Sequence, residues 1–300
     1  MFTDPDLIQR IHALTRPLYP QPTETVPALG PVAGIRAVLF DVYGTLVISA
    51  SGDIGLNGQQ AENGDPDPFR SALRAADIDA TTLTPGTDGR AVLIEAIRGR
   101  HAQARSRGID FPEIDILEVW ADLLPRLGLR VSETDIRRLA VEYELRVNAV
   151  WPMPGLGQQL IALRERGLVL GIVSNAQFYT PLMLEAFLGA PIDALGFDPA
   201  CCAWSYRLGE GKPSREIYRG ALSALQARHG IGPAQVLYVG NDMRNDIWPA
   251  AAEGCRTVLF AGDDRSLRLR ADDPDVAGVV PERIITELAQ IDQALLRPAP

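Results

Sequence analysis

The sequence predicts an α/β protein: a doubly wound parallel sheet, interrupted after its first strand by a helical insert. From Trp151 onward, short apolar runs alternate with helical segments, the pattern of successive strand–helix units. Between about 66 and 149 the apolar period is helical throughout, with no strand signal of comparable strength. A single strand-like run, Ala37 to Phe40, precedes that block. The organisation expected is an N-terminal helix and Pro-rich arm over 1–32, an α/β core over 33–48 and 151–300, and a helical domain over 49–150.

Taken in order, residues 4–16 put Leu7, Ile8, Ile11 and Leu14 on one side of a short amphipathic helix. The stretch PLYPQPTETVPALGP that follows reads as extended. Ala37 to Phe40 reads as a buried parallel strand that delivers Asp41 to a loop. Residues 49 to about 64, rich in Gly, Asn, Asp and Ser, read as a loop. Helices are expected over 67–77, 88–107, 113–127 and 132–149, the last opening on the capping-box pattern Ser132-Glu-Thr-Asp135. In the second half the strands are LVLGIVSN, QVLYVGND and CRTVLF. The helices there are 155–166, 181–188, 214–229, 247–253 and a closing 284–296.

Composition narrows the function classes. With 46% hydrophobic and 22% charged residues, the chain is an ordinary globular protein. No apolar run reaches the roughly 18 residues of a membrane span. The N-terminus lacks the basic-then-apolar order of a signal peptide, so a cytoplasmic protein is expected. A net charge of -9 disfavours nucleic acid as a partner. A small anionic substrate stays open, because a local cation can dominate a site. The N-terminal arm packs either on the core or on a second copy in a homodimer.

Several residue types read as structural. Cys201, Cys202 and Cys255 lack metal spacing and read as small buried hydrophobes. His12, His101 and His229 are scattered and read as solvent-facing, and Trp120 and Trp151 as packing residues. Asp263-Asp264 and Asp272-Asp273-Pro-Asp275 read as solvated loops. Gly155-Leu-Gly157 is half a dinucleotide fingerprint, but it lacks the third Gly and stands behind Pro152 and Pro154.

Ligands of open parallel sheets bind at the carboxyl ends of the strands. The polar residues there are Asp41, Tyr43 and Thr45 after the first strand and Ser174 and Asn175 after the second. Asn241, Asp242 and Asp246 follow the third. Lys212 lies in GEGKPSRE just ahead of a helix, and it is the one lysine among 29 basic residues. In a chain that otherwise uses Arg, it marks a place where a compact ammonium is required. Two carboxylates about 4 Å apart repel by roughly 4 kcal/mol at an effective dielectric near 20, so three need cations. A hard divalent ion such as magnesium, with Lys212, would satisfy them. A carboxylate so placed can attack phosphorus.

The segments Asp41-Val-Tyr-Gly-Thr-Leu46, Ser174-Asn175, Gly211-Lys-Pro213 and Gly240-Asn-Asp-Met-Arg-Asn-Asp246 resemble the four ordered motifs of the haloacid dehalogenase-like superfamily. Pro154-Gly-Leu-Gly and Leu163-Arg-Glu-Arg-Gly167 resemble the helix preceding the second motif. The resemblance implies a Rossmann-like core with a helical cap and a hydrolase acting on a small, phosphorylated substrate. It implies Asp41 as nucleophile and Mg2+ ligand, the Tyr43 carbonyl as a second ligand, and Asp242 and Asp246 holding the ion. Thr45 and Ser174 would hydrogen-bond the transferring group, beside Asn175 of the second motif, and Lys212 would bridge nucleophile and substrate.

Two positions depart from the phosphatase pattern. Tyr43 stands where phosphatases of the superfamily carry the Asp that protonates the leaving group, and 2-haloacid dehalogenases carry Tyr there. Against this, those dehalogenases work without metal, whereas Asp242 and Asp246 have the four-residue spacing of a magnesium motif. Asn241 stands where the first Asp of that motif often lies, so either Asp242 or Asn241 supplies the oxygen, Asp242 being the favoured reading. The leading function is a Mg2+-dependent phosphatase. The alternatives are a dehalogenase-like hydrolase and a regulatory protein without turnover.

Overall fold

The computed structural model describes residues 4–51 and 65–296. Six parallel strands form the central sheet: β1 (Ala37–Phe40), β4 (Val169–Ser174), β5 (Phe197–Trp204), β6 (Val236–Gly240), β7 (Arg256–Phe260) and β8 (Arg283–Ile285). Their spatial order is β5-β4-β1-β6-β7-β8. The first strand in sequence therefore sits centrally, with Phe40 level with Ile172 on one side and Val239 on the other. All four residues of β1 are buried, as the continuous apolar run requires. At this strand the order switches direction, and the loop after it opens into the crevice where such sheets bind ligands.

Helices cover both faces: α6 (Leu156–Glu165), α7 (Thr180–Leu188), the short α8 (Ser205–Leu208), α9 (Arg215–His229) and α10 (Trp248–Ala252). Between β1 and β4 the chain leaves the sheet through β2 (Val47–Ser49) and returns through β3 (Val150–Pro152), which pair antiparallel. Among the described residues, four helices lie between them: α2 (Pro68–Ala75), α3 (Gly89–Ser106), α4 (Ile116–Arg126) and α5 (Glu133–Val147). Each starts within three residues of the sequence-based boundary. Of the loop expected over 49–64, Ser49 ends β2 and residues 52–64 lie outside the described residues.

The capping box of α5 is formed: Ser132 Oγ accepts from Asp135 N at 3.2 Å, and an Asp135 carboxylate oxygen accepts from Ser132 N at 2.8 Å. Substituting Ser132→Ala is expected to cost about 1 kcal/mol, read as a lower urea midpoint at unchanged m-value.

The N-terminal helix α1 (Pro5–Leu14) buries Leu7 and Ile11 and packs against α5 and α7. Arg10 pairs with Glu142 at 2.9 Å, and Arg138 with Asp6 at 2.9 Å. The arm that follows runs back along the sheet. Ala28 bridges Ile284, Thr23 Oγ1 donates to the Ala261 carbonyl, and Gln21 N donates to Asp263. Asp263 is buried, so it is a clamp for the arm rather than part of a solvated loop.

The sheet edges differ from the sequence-based expectation. β5 was not expected, because Asp198-Pro199-Ala200 interrupts its apolar pattern. It is an edge strand, where Pro is tolerated, and its register against β4 shifts between Leu170 and Ile172. The expected helix over 284–296 is instead β8 followed by a single turn, Ile291–Leu295. β-Branched Ile284 and Ile285 pair with Leu259 and Phe260, and this pairing overrides the helical period. The β2–β3 pair was not anticipated either, since three-residue strands carry no readable period.

Candidate active site

Asp41 lies at the end of β1, its N–H held by the Val239 carbonyl at 3.0 Å. Ser174, the last residue of β4, donates its hydroxyl to Asp41 Oδ1 at 3.1 Å. Lys212 Nζ donates to the same oxygen at 2.6 Å and to Asp246 Oδ1 at 2.6 Å. Among the described residues, Asp41 Oδ2 carries no hydrogen bond. Four segments remote in sequence thus converge, and all four side chains are buried.

Asn175 fixes the lysine loop by accepting from Lys212 N at 2.7 Å. Asp246 is held through Oδ2 by Asp242 N at 3.0 Å and through Oδ1 by Tyr238 OH at 2.9 Å. A Cβ on Gly240 would lie 2.4 Å from Asp246 Cγ, so glycine lets the end of β6 approach that carboxyl. Gly44 has φ +84, and a side chain there would meet Ser266 and Asn241 at under 3 Å.

The charges interact strongly. Burial pushes Asp246 up to about 6, with Lys212 opposing and Asp41 and Asp242 adding to the rise. Burial alone would lower the pKa of Lys212, but Asp246 and Asp41 more than offset that and raise it. An ammonium locked between two carboxylates stays charged across the physiological range.

Three of the predicted residues have side-chain partners of their own. Asp242 lines the same cavity, but its carboxylate is already engaged. Arg270 binds both its oxygens, at 3.2 and 2.6 Å, and Oδ1 also accepts from the N–H groups of Arg244 and Asn245. Thr45 Oγ1 donates to Asn241 Oδ1 at 3.1 Å, and Asn241 Nδ2 donates to the Ser266 carbonyl. The Tyr43 hydroxyl lies 3.0 Å from Thr180 Oγ1. Burial raises its pKa well above the ordinary phenol value, with Glu144 and Asp41 adding to the rise and the Thr180 bond opposing it.

A cavity of about 1010 Å3 joins this cluster to helices α2–α5. Its far wall is apolar, with Leu93, Ile94 and Ile97 from α3 and Ile116 and Trp120 from α4. Trp120 stacks on Phe69 at 5.9 Å between ring centroids, consistent with a packing role. His101 is half-buried on the same wall, and His229 is half-buried against Asp198 at 2.8 Å, so only His12 is solvent-facing. Glu144 and Tyr179 also line the cavity and were not singled out in the sequence. Glu144 sits on a helix whose rotation toward the sheet no local pattern encodes.

Asp198, Cys201 and His229 bring three potential ligand atoms within 4.8 Å of one another near the β5 edge, away from the site. Arg228 pairs with Asp198 there at 3.0 Å. No helix among the described residues is long and apolar enough to cross a membrane.

Comparison with known proteins agrees with this architecture. A phosphoglycolate phosphatase of Escherichia coli is 30% identical over 257 residues, covering 81% of this chain and 88% of that protein. A phosphoglycolate phosphatase of Haemophilus influenzae is 29% identical over 164 residues, covering 52% of this chain and 67% of that one. Among solved structures, a 2-haloacid dehalogenase from Pseudomonas syringae has a TM-score of 0.54 at 20% identity, covering 86% of this chain and 97% of that one. A phosphatase from Thermococcus onnurineus has a TM-score of 0.51 at 19% identity over the same shares. These structures speak to the fold alone. Residues 35–254 match the haloacid dehalogenase-like hydrolase family, and the chain belongs to it.

Proposed function

We propose that this hydrolase is a Mg2+-dependent phosphatase of small phosphate monoesters, working through an aspartyl-phosphate on Asp41. The observation that carries this is the asymmetric loading of that carboxylate. Lys212 and Ser174 both bind Oδ1, which orients the side chain and leaves Oδ2 for attack on phosphorus. Lys212 would also stabilise charge developing on the phosphoryl oxygens. The phosphatase relatives support the substrate class. On this reading residues 49–150 act as a cap over the 33–48 and 151–300 core, and the 1–32 arm braces both.

The donor set fits a magnesium ion. Asp41 and Asp246 offer hard carboxylate oxygens, the Tyr43 carbonyl a third donor, and Mg2+ ordinarily takes one or two carboxylates and keeps several waters. Arg270 binds both oxygens of Asp242, whereas Lys212 binds only one of Asp246, so Asp242, the ligand favoured from sequence, becomes the weaker candidate of the two. When bound, the ion would neutralise phosphate charge and polarise a phosphoryl oxygen.

A dehalogenase reading is favoured by Tyr43 alone, because a halide departs without a proton. Hydrolysis of p-nitrophenyl phosphate with Mg2+ and with EDTA, beside halide release from 2-chloropropionate, separates the two. Mg2+-dependent phosphate release is the expected result, and metal-independent halide release without it would overturn the reading. Asp246→Asn is expected to weaken Mg2+ activation at least about 10-fold and Asp242→Asn by much less, measured as the Mg2+ concentration at half-maximal rate.

A further inference from the structure

A phosphatase must protonate an alkoxide as it leaves, and the residue two places after Asp41 is ill-suited to the task. Tyr43 has its hydroxyl against Thr180 and its proton held more tightly than in a free phenol. A different carboxyl stands on the wall of the same cavity. Glu144 lies in the last turn of α5, close to the β2–β3 pair through which the helices join the core. It is held from two sides: Tyr179 OH donates to Oε2 at 3.0 Å and Asn148 Nδ2 to Oε1 at 3.1 Å. Asn148 is itself anchored by Ser49 of β2, whose hydroxyl donates to its Oδ1 at 2.9 Å. Glu144, Tyr179, Tyr43 and Asp41 all line this one cavity.

We propose that Glu144 is the proton donor to the leaving-group oxygen, replacing the carboxyl that this chain lacks at position 43. The proposal rests on the phosphatase reading and deepens it. As the bond from Asp41 Oδ2 to phosphorus forms, the bond from phosphorus to the leaving oxygen breaks. The Glu144 proton moves onto that oxygen and a neutral alcohol departs. Glu144, now a carboxylate, takes a proton from the water that attacks the aspartyl-phosphate. Inorganic phosphate leaves and both carboxyl groups are restored.

The surroundings suit a donor. Burial raises the proton affinity of Glu144, opposed by the Asn148 and Tyr179 hydrogen bonds, and a donor works best with its pKa near the operating pH. The titratable groups around it are Tyr43 on the loop after β1, Tyr179 ahead of α7, Tyr143 on its own helix, and Glu113, which acts on Tyr179. Arg90 of α3 lines the same cavity and acts on Tyr143, and what opposes protonation of Glu144 itself is the pair of hydrogen bonds from Asn148 and Tyr179.

The test compares two esters of similar size on wild type and Glu144→Gln. The leaving group of p-nitrophenyl phosphate departs as a stable anion, whereas that of benzyl phosphate must be protonated. E144Q is expected to lower kcat/KM on benzyl phosphate by about 10² to 10⁴ and on p-nitrophenyl phosphate by less than about 5-fold. The alkaline limb of the benzyl phosphate pH profile should disappear in E144Q. In Tyr179→Phe, which removes a bond favouring the carboxylate, that limb should persist and move to higher pH. Equal losses on both esters, or an undiminished rate on benzyl phosphate, would overturn the proposal and leave the phosphatase reading standing. A wild-type protein inactive on p-nitrophenyl phosphate overturns the phosphatase reading itself, because that ester needs no donor.

Discussion

Asp41→Asn is expected to lower kcat on p-nitrophenyl phosphate by at least about 10⁴-fold while leaving the protein folded. Asparagine keeps an oxygen that accepts from Lys212 and Ser174, so the neighbours retain their partners. It removes the nucleophilic carboxylate and one of two negative charges that meet the ammonium. Asp41 also contributes to the high pKa of Asp246, so the substitution relaxes a repulsion inside the site. Stability should therefore stay within about 1 kcal/mol of wild type by urea melting. Residual activity above about one hundredth, in a folded variant, would show that another group attacks phosphorus.

Lys212→Ala carries the largest stability effect. The ammonium lies 2.6 Å from each of two buried carboxylates, and removing it leaves both facing each other without a cation. Breaking one partner out of a buried ion pair costs about 3–5 kcal/mol. The site recovers part of that by taking up a proton, so the penalty depends on pH. Asp246 already binds its proton more tightly than an ordinary carboxyl, because burial outweighs the lysine. A carboxyl with a raised folded pKa stabilises most below the unfolded value, and that contribution falls as pH climbs through the folded value. Loss of Lys212 extends the decline upward, so the variant should be closest to wild type near pH 5 and furthest from it near pH 8. A pH-independent deficit in urea midpoints would contradict this electrostatic account. Activity should fall by about 10² to 10³ at least. Lys212→Arg should not restore it, since a planar fork cannot place one nitrogen between Asp41 and Asp246 as the ammonium does.

Both results bear on Glu144. If Asp41 attacks and Lys212 holds the charge, the remaining chemical demand is the departing oxygen. Leaving-group dependence isolates that demand from the other two, because neither Asp41 nor Lys212 changes role between an aryl and an alkyl ester.

Much of this architecture was legible along the chain. The run Ala37–Phe40 could only be a strand buried on both faces, and the lone lysine among arginines stood out as a point charge with a specific task. The capping box at Ser132 and the helices from 68 to 147 follow from local rules, since capping and apolar period are properties of adjacent residues. The same holds for Asp41, Ser174, Lys212 and Asp246, because the end of a buried parallel strand and the loops around it lie on one side of the sheet. What local pattern could not decide was orientation and pairing. Ile284 and Ile285 carry a helical period and yet form a strand, because β7 offers an open edge with matching register. Asp242 and Asp246 share a turn four residues apart, but Arg270, 28 residues on from Asp242, pairs with the first one, while Lys212 takes the second. Glu144 is one acidic residue among many on a helix until the β2–β3 pair and Tyr179 set that helix over the cavity. Short-range interactions are written into neighbouring residues, whereas the direction of a carboxylate depends on which remote cation, hydroxyl or backbone donor the completed fold brings within hydrogen-bond distance.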